Sequence, residues 1–87
     1  MLFRSKQEKD RAVFDIKRNF ETLTPREQEV MAWVTGGLLN KQVAAEIGVT
    51  EITVKVHRGN VMRKMAAKSF EDLVGMADLL GIRRTKS

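Results

Sequence analysis

Apolar residues along this chain recur at helical spacing. Val13, Ile16 and Phe20 stand at i, i+3 and i+7, with charges on the positions between them, which predicts an amphipathic helix over about 6–19. A second stripe, Val30, Trp33 and Val34, follows the segment Thr24-Pro25-Arg26-Glu27. A threonine cap, a proline at the first helical position and a glutamate three residues past the cap form a capping box. The helix so opened is predicted over about 25–35 and stops at Gly36-Gly37. Asn40 is expected to cap a short helix at 41–47 that closes on Gly48, and Thr50 a longer one at 51–66. Ser69, with Asp72 three residues on, opens a last helix at 70–80 that ends at Gly81. No stretch alternates long enough to predict a strand. The expected fold is all-α: a four-helix bundle over 23–82 containing a helix-turn-helix, an N-terminal linker helix within 1–22, and a frayed basic tail at 83–87.

The helices at 41–47 and 51–66 are joined by only three residues, 48–50. Two helices that cross steeply through such a turn need small or apolar residues at fixed places. Val43 and Ile47 hold the first helix down, Ala44 is small where the second approaches, and Gly48 makes the turn. Val49 plugs beneath it and Val54 anchors the second helix, while His57 only half satisfies an apolar position. At about 100° per residue, Val54, His57, Val61 and Met65 share the core side of that second helix. Opposite them stand Ile52, Lys55, Val56, Gly59, Asn60 and Arg63. A solvated helix rarely exposes isoleucine and valine one turn apart. In a DNA major groove they would meet thymine methyl groups, Lys55 and Arg63 would reach guanine edges or phosphates, and Gly59 would let the groove wall come close.

Charge sharpens this reading. The 87-residue chain carries a net +5, unevenly spread. Residues 51–69 hold five basic and one acidic side chain, a balance of +4, whereas 25–50 hold two and three, a balance of −1. Such a local excess is the footprint expected for a polyanion. There is no cysteine, so disulfides and thiolate-held metals are excluded. The longest uncharged apolar stretch, "VMAWVTGGLLN", is too short and polar to cross a bilayer, so a cytoplasmic protein that does not engage a membrane is expected. His57 is the only histidine, and no carboxylates are patterned to join it; neither an enzyme, a metal site nor a cofactor is expected. Trp33, in line with Val30 and Val34, reads as core.

Leu-Thr-x-Arg-Glu-x-Glu-Val at 23–30, Gly37, Asn40-Lys41, Thr53-Val54-Lys55-x-His57-Arg58, Asn60, Lys64 and Lys68-Ser69 together resemble the DNA-binding domain of LuxR-type regulators, within the FixJ and NarL subgroup of response regulators. The likeness covers about 23–80. It implies four helices, the third reading DNA and the fourth often pairing two copies. Carried over, Lys55 and Val56 become base readers, with Ile52 and Gly59 at flanking positions. Thr53, His57, Lys41 and Lys64 become phosphate or positioning contacts, and Thr50, Asn60 and Arg63 complete the expected DNA-facing set. Gly59 departs from relatives that carry a polar or basic residue there, and Met65-Ala66-Ala67 replaces a usual Leu-Gly-hydrophobic run.

Double-stranded DNA is therefore the expected partner, with RNA polymerase a further candidate. On the last helix Phe70, Leu73, Val74, Ala77 and Leu80 form a core stripe, and Gly75, Met76 and Leu79 on the other side are the expected homodimer contact. If Lys41, Lys55, Arg63 and Lys64 each neutralise one phosphate, log K falls with log salt at about −3 to −4 per protomer. The resemblance implies an upstream receiver domain. Its acidic pocket has no counterpart in this sequence, so the chain is expected to be cut from a longer regulator or to be free-standing. The rival reading is a helical interaction module that pairs with another regulator or with polymerase without strong DNA binding. Gly59 favours that rival, and the +4 balance opposes it.

Overall fold

The computed structural model describes residues 6–86, with side chains from Arg11 onward. Five helices follow in order: α1 Lys6–Glu21, α2 Pro25–Thr35, α3 Asn40–Ile47, α4 Glu51–Lys64 and α5 Phe70–Leu80. No strand occurs among the described residues.

The centre of the molecule is α2. Its stripe pattern predicts three buried residues, yet Val30, Met31, Ala32, Trp33, Val34 and Thr35 are all buried because helices pack on several sides of it. On one side Val30, Trp33 and Val34 meet Val43 and Ala44 of α3 and Val54 of α4. On the other, Met31 meets Val61, Met65, Leu73, Ala77 and Leu23. Each fully buried side chain of this size contributes about 1.5–3 kcal/mol relative to exposure. Thr35 is tolerated inside because its hydroxyl donates to the Met31 carbonyl at 2.7 Å. Ile16 and Phe20 of α1 pack on the second cluster, and Gln28 Nε2 donates to the Phe20 carbonyl at 3.2 Å.

Two expectations about helix ends are corrected. Asn40 does not cap α3: the cap is Leu39, whose N–H is bound by the Gln42 side chain at 2.8 Å. The Asn40 side chain is instead turned to Arg58, whose Nη1 donates to its Oδ1 at 2.9 Å. Secondly, α4 ends at Lys64, two residues early. There the Ala67 N–H reaches back to Met62 O at 3.0 Å and the Ala66 N–H to Arg63 O at 3.1 Å, which closes a left-handed C-terminal motif. The three other left-handed positions, Gly37, Gly48 and Gly81, are glycines; Ala66 holds φ 55 despite its Cβ.

The expected frayed tail is also corrected. Ile82 packs on the core, the Arg84 N–H donates to Ala32 O at 2.9 Å, and Arg83 Nε donates to Thr35 O at 2.8 Å. The Arg84 guanidinium lies 4.3 Å from the centroid of the Trp33 ring, and Lys86 pairs with Glu46 of α3 at 2.9 Å. The carbonyls of Ala32 and Thr35 at the end of α2 and the indole face supply the partners that hold this segment. Gly36 permits it: its backbone is ordinary right-handed, but a Cβ there would overlap the Arg84 carbonyl.

Candidate nucleic-acid interface

The turn between α3 and α4 is built as its spacing demands. Gly48 takes φ 73, and its N–H and that of Val49 both reach Ala44 O, at 2.9 and 3.0 Å. Ala44 is buried and Val49 half-buried beneath the turn. Arg26 fixes the end of α3 by donating to the Ile47 carbonyl at 3.2 Å. Thr50 then opens α4, its hydroxyl accepting from the Thr53 N–H at 3.2 Å. Glu51 in the first turn and Arg63 and Lys64 in the last complement the helix dipole.

Val54, Val61 and Met65 are fully buried, so the core side of α4 is as expected. The outward side is exposed: Ile52 at 74% and Val56 at 58%, together with Lys55, Gly59 and Arg63. A Cβ at Gly59 would meet nothing within 4 Å among the described residues, so no packing among them requires a glycine there. Lys41 is exposed at the start of α3 and Thr50 at the cap of α4. Among the described residues no carboxylate is paired with Lys41, Lys55 or Arg63. The outward side of α4 is thus a ridge of two apolar side chains, Ile52 and Val56, flanked by Lys55 and Arg63, with Lys41 apart on the neighbouring α3.

Four expected contacts stand apart from that ridge. Thr53 is half-buried, its hydroxyl 3.0 Å from that of Thr50. His57 is half-buried with Nδ1 enclosed and without a partner. Asn60 is half-buried and receives only a long 3.5 Å contact from Arg63. Lys64 is turned inward: its Nζ is 2.8 Å from Glu27 Oε1, a nearly buried carboxylate that also accepts from the Thr24 N–H at 3.0 Å. Burial alone would raise the Glu27 carboxyl. The Lys64 ammonium, the Thr24 N–H and the Asn60 amide outweigh it and hold the carboxyl below the usual glutamate range.

The sequence reading of Glu27 as a capping group is right but incomplete, because its partner lies 37 positions away. Arg58 was likewise missed as more than a motif residue; it is half-buried between Asn40 and the Phe70 ring. Of the expected dimer contact, Gly75 is exposed and Leu79 is 59% exposed, whereas Met76 is half-buried against the core cluster that also receives Ile16 and Phe20. Its outward orientation is thereby corrected.

Known proteins share this arrangement. The family model described as bacterial regulatory proteins, luxR family, matches residues 21–77. Nodulation protein W of Bradyrhizobium diazoefficiens is 57% identical over 79 residues, which cover 91% of this chain and 35% of that protein. Response regulator protein TodT of Pseudomonas putida is 50% identical over 68 residues, covering 78% of this chain and 30% of that one. Full-length FixJ from B. japonicum superposes with a TM-score of 0.78 at 36% identity, over 90% of this chain and 38% of that structure. The chain thus spans about a third of the length of these relatives.

Proposed function

The chain belongs to the luxR family of bacterial regulatory proteins, and on that premise we propose that it binds double-stranded DNA in a sequence-dependent way as the effector part of a cytoplasmic response regulator. One observation carries this reading: Ile52 and Val56 stand exposed one turn apart on the ridge that Lys55 and Arg63 flank. A ridge of this make-up fits the major groove. Apolar tips meet thymine methyls, Lys55 reaches a base edge or phosphate, and Arg63 and Lys41 grip phosphates on either side. Gly59, with open space where a Cβ would be, lets the helix sit close to the groove wall. Thr50, exposed at the cap of α4, borders the ridge at its N-terminal end.

Lys64 is engaged by Glu27, so three cations remain for phosphates. The expected salt slope drops accordingly to about −2.7 per protomer. Two copies pairing through Gly75 and Leu79 would present two ridges with two-fold symmetry, and contact with RNA polymerase would turn occupancy into transcription.

Fluorescence anisotropy of labelled duplexes across a salt series tests the reading, with Lys41→Ala and Lys55→Ala beside the wild type. Lys41→Ala should weaken all duplexes alike and lower the slope by about one unit. Lys55→Ala should in addition relax base preference, by about 1–3 kcal/mol at the position it reads. Salt-insensitive binding, or none, would refute duplex recognition and favour an interaction module.

A further inference from the structure

Besides Lys64, which is paired with Glu27, one further cation of α4 takes no part in the ridge. Arg58 lies about 120° round the helix from Ile52, beside the buried line of Val54, Val61 and Met65. Its Nη1 donates to Asn40 Oδ1 at 2.9 Å, and its Cζ lies 4.6 Å from the centroid of the Phe70 ring. Asn40 is the first residue of α3 and Phe70 the first of α5. One planar group on the middle of α4 thus meets the leading residues of α3 and α5.

Apolar packing is incomplete at that corner. A depression of about 420 Å³ opens there, lined among others by Val34, Leu38, Leu39, Lys41 and Glu51 along with Arg58 and Phe70. Leu39, which precedes α3, is 69% exposed and contributes no buried anchor. Asn40 gives up its capping role to receive the guanidinium, leaving the cap of α3 to Gln42. The start of α3 is therefore joined to α4 by the Arg58–Asn40 hydrogen bond, one turn ahead of the packing of Val43 and Ala44 against Val54.

We infer that Arg58 is a positioning residue for DNA reading. It fixes the rotation of α4 against α3 and α5, and so the direction in which Ile52, Lys55 and Val56 are presented. The inference rests on the duplex-binding reading above. A lysine cannot replace the arginine here: one compact ammonium cannot both lie flat on the Phe70 ring and direct a fixed N–H at Asn40.

The 87-residue chain is assayed on its selected duplex and on a scrambled one, as wild type, Arg58→Lys, Arg58→Met, Asn40→Ala and the Arg58→Met/Asn40→Ala double variant. Measurements are made at a temperature where circular dichroism shows every variant folded. The expected result is a fall of about tenfold in the selected-to-scrambled affinity ratio for Arg58→Met, the scale of one degraded base contact. Arg58→Lys should fall nearly as far, Asn40→Ala comparably, and the double variant no further, with the salt slope unchanged. A slope lower by about one unit at constant ratio would make Arg58 a phosphate contact instead. An unchanged ratio with only a lower melting point would leave it a purely structural group, and multiplicative losses in the double variant would separate it from Asn40; each overturns the inference. Hydrogen exchange without DNA gives an independent decision. The Val43 and Ala44 amides should exchange faster in Arg58→Met and Asn40→Ala while those of α1 do not, and unchanged protection refutes the hold on α3. If the wild type binds no duplex, the functional reading fails, and exchange still decides whether Arg58 fixes α3.

Discussion

The ion pair between Lys64 and Glu27 gives the sharpest quantitative prediction, because it removes a residue from the expected DNA contacts. Glu27 is 4% exposed at its side chain and Lys64 28%, with 2.8 Å between the charged atoms. Breaking a fully buried pair costs about 3–5 kcal/mol, and breaking an exposed one about 0.2–1. Here the lysine can turn to water but the carboxylate cannot, so the coupling should be about 2 kcal/mol. Glu27→Ala also removes the acceptor for the Thr24 N–H, a further cost of about 1 kcal/mol. The variant should therefore lose about 3 kcal/mol and melt about 12–24 °C lower. Lys64→Ala should lose about 2 kcal/mol, and the double variant about 3 instead of the additive 5. Thermal and urea unfolding followed by circular dichroism measures all four corners of the cycle.

The same pair sets a pH dependence. Folding lowers the Glu27 pKa, so its contribution is fully present above the unfolded value of about 4.3 and is lost as pH falls through the lower folded value. The gap in stability between wild type and Glu27→Ala should accordingly hold constant from neutral pH down to about pH 5 and narrow as the pH falls further. A coupling below about 0.5 kcal/mol at neutral pH would refute the inward role of Lys64. So would a Lys64→Ala variant of full stability whose DNA salt slope drops by about one unit.

Three further substitutions have expected signs. Ala66→Gly relieves a left-handed backbone at φ 55 and should stabilise by about 1 kcal/mol, read as a rise of about 4–8 °C in melting temperature. Gly59→Ala fills open space in the middle of an exposed helix and should stabilise by a similar ~1 kcal/mol while weakening duplex binding; tighter binding would contradict a close groove wall at that position. Gly36→Ala must displace the Arg84 carbonyl, so it should destabilise and shift the emission of Trp33, the only tryptophan, to longer wavelength; an unshifted spectrum would mean that the tail stays docked on the indole.

Local chemistry made much of the fold legible. The Thr24-Pro25-Glu27 box, the Thr50 and Ser69 caps and the glycines at 37, 48 and 81 are each decided within a few residues, and those helix starts and stops appear as read. The helix-turn-helix spacing from Val43 to Val54 likewise depends on neighbours in sequence. What was missed depends on distant partners. Asn40 has the chemistry of a cap, but Arg58, 18 positions on, competes for it. Lys64 looks like a phosphate cation until Glu27 comes beside it. A tail of Arg83, Arg84 and Lys86 reads as frayed because its anchors, the carbonyls of Ala32 and Thr35, the Trp33 ring and Glu46, belong to other helices. The many buried faces of α2 have the same origin, since a helical wheel records one stripe and a central helix has several neighbours. Met76, by contrast, is three residues from Leu73 and already stands at the edge of the α5 core stripe on the wheel.

Selection of bound duplexes from a random-sequence pool at moderate salt, followed by sequencing, tests the central claim most directly. Enrichment of a defined motif, arranged as inverted half-sites and relaxed at one position of each half-site in Lys55→Ala, is the result expected of a ridge that reads bases in the major groove. A pool that remains random, with or without salt-sensitive retention, would contradict sequence reading by α4.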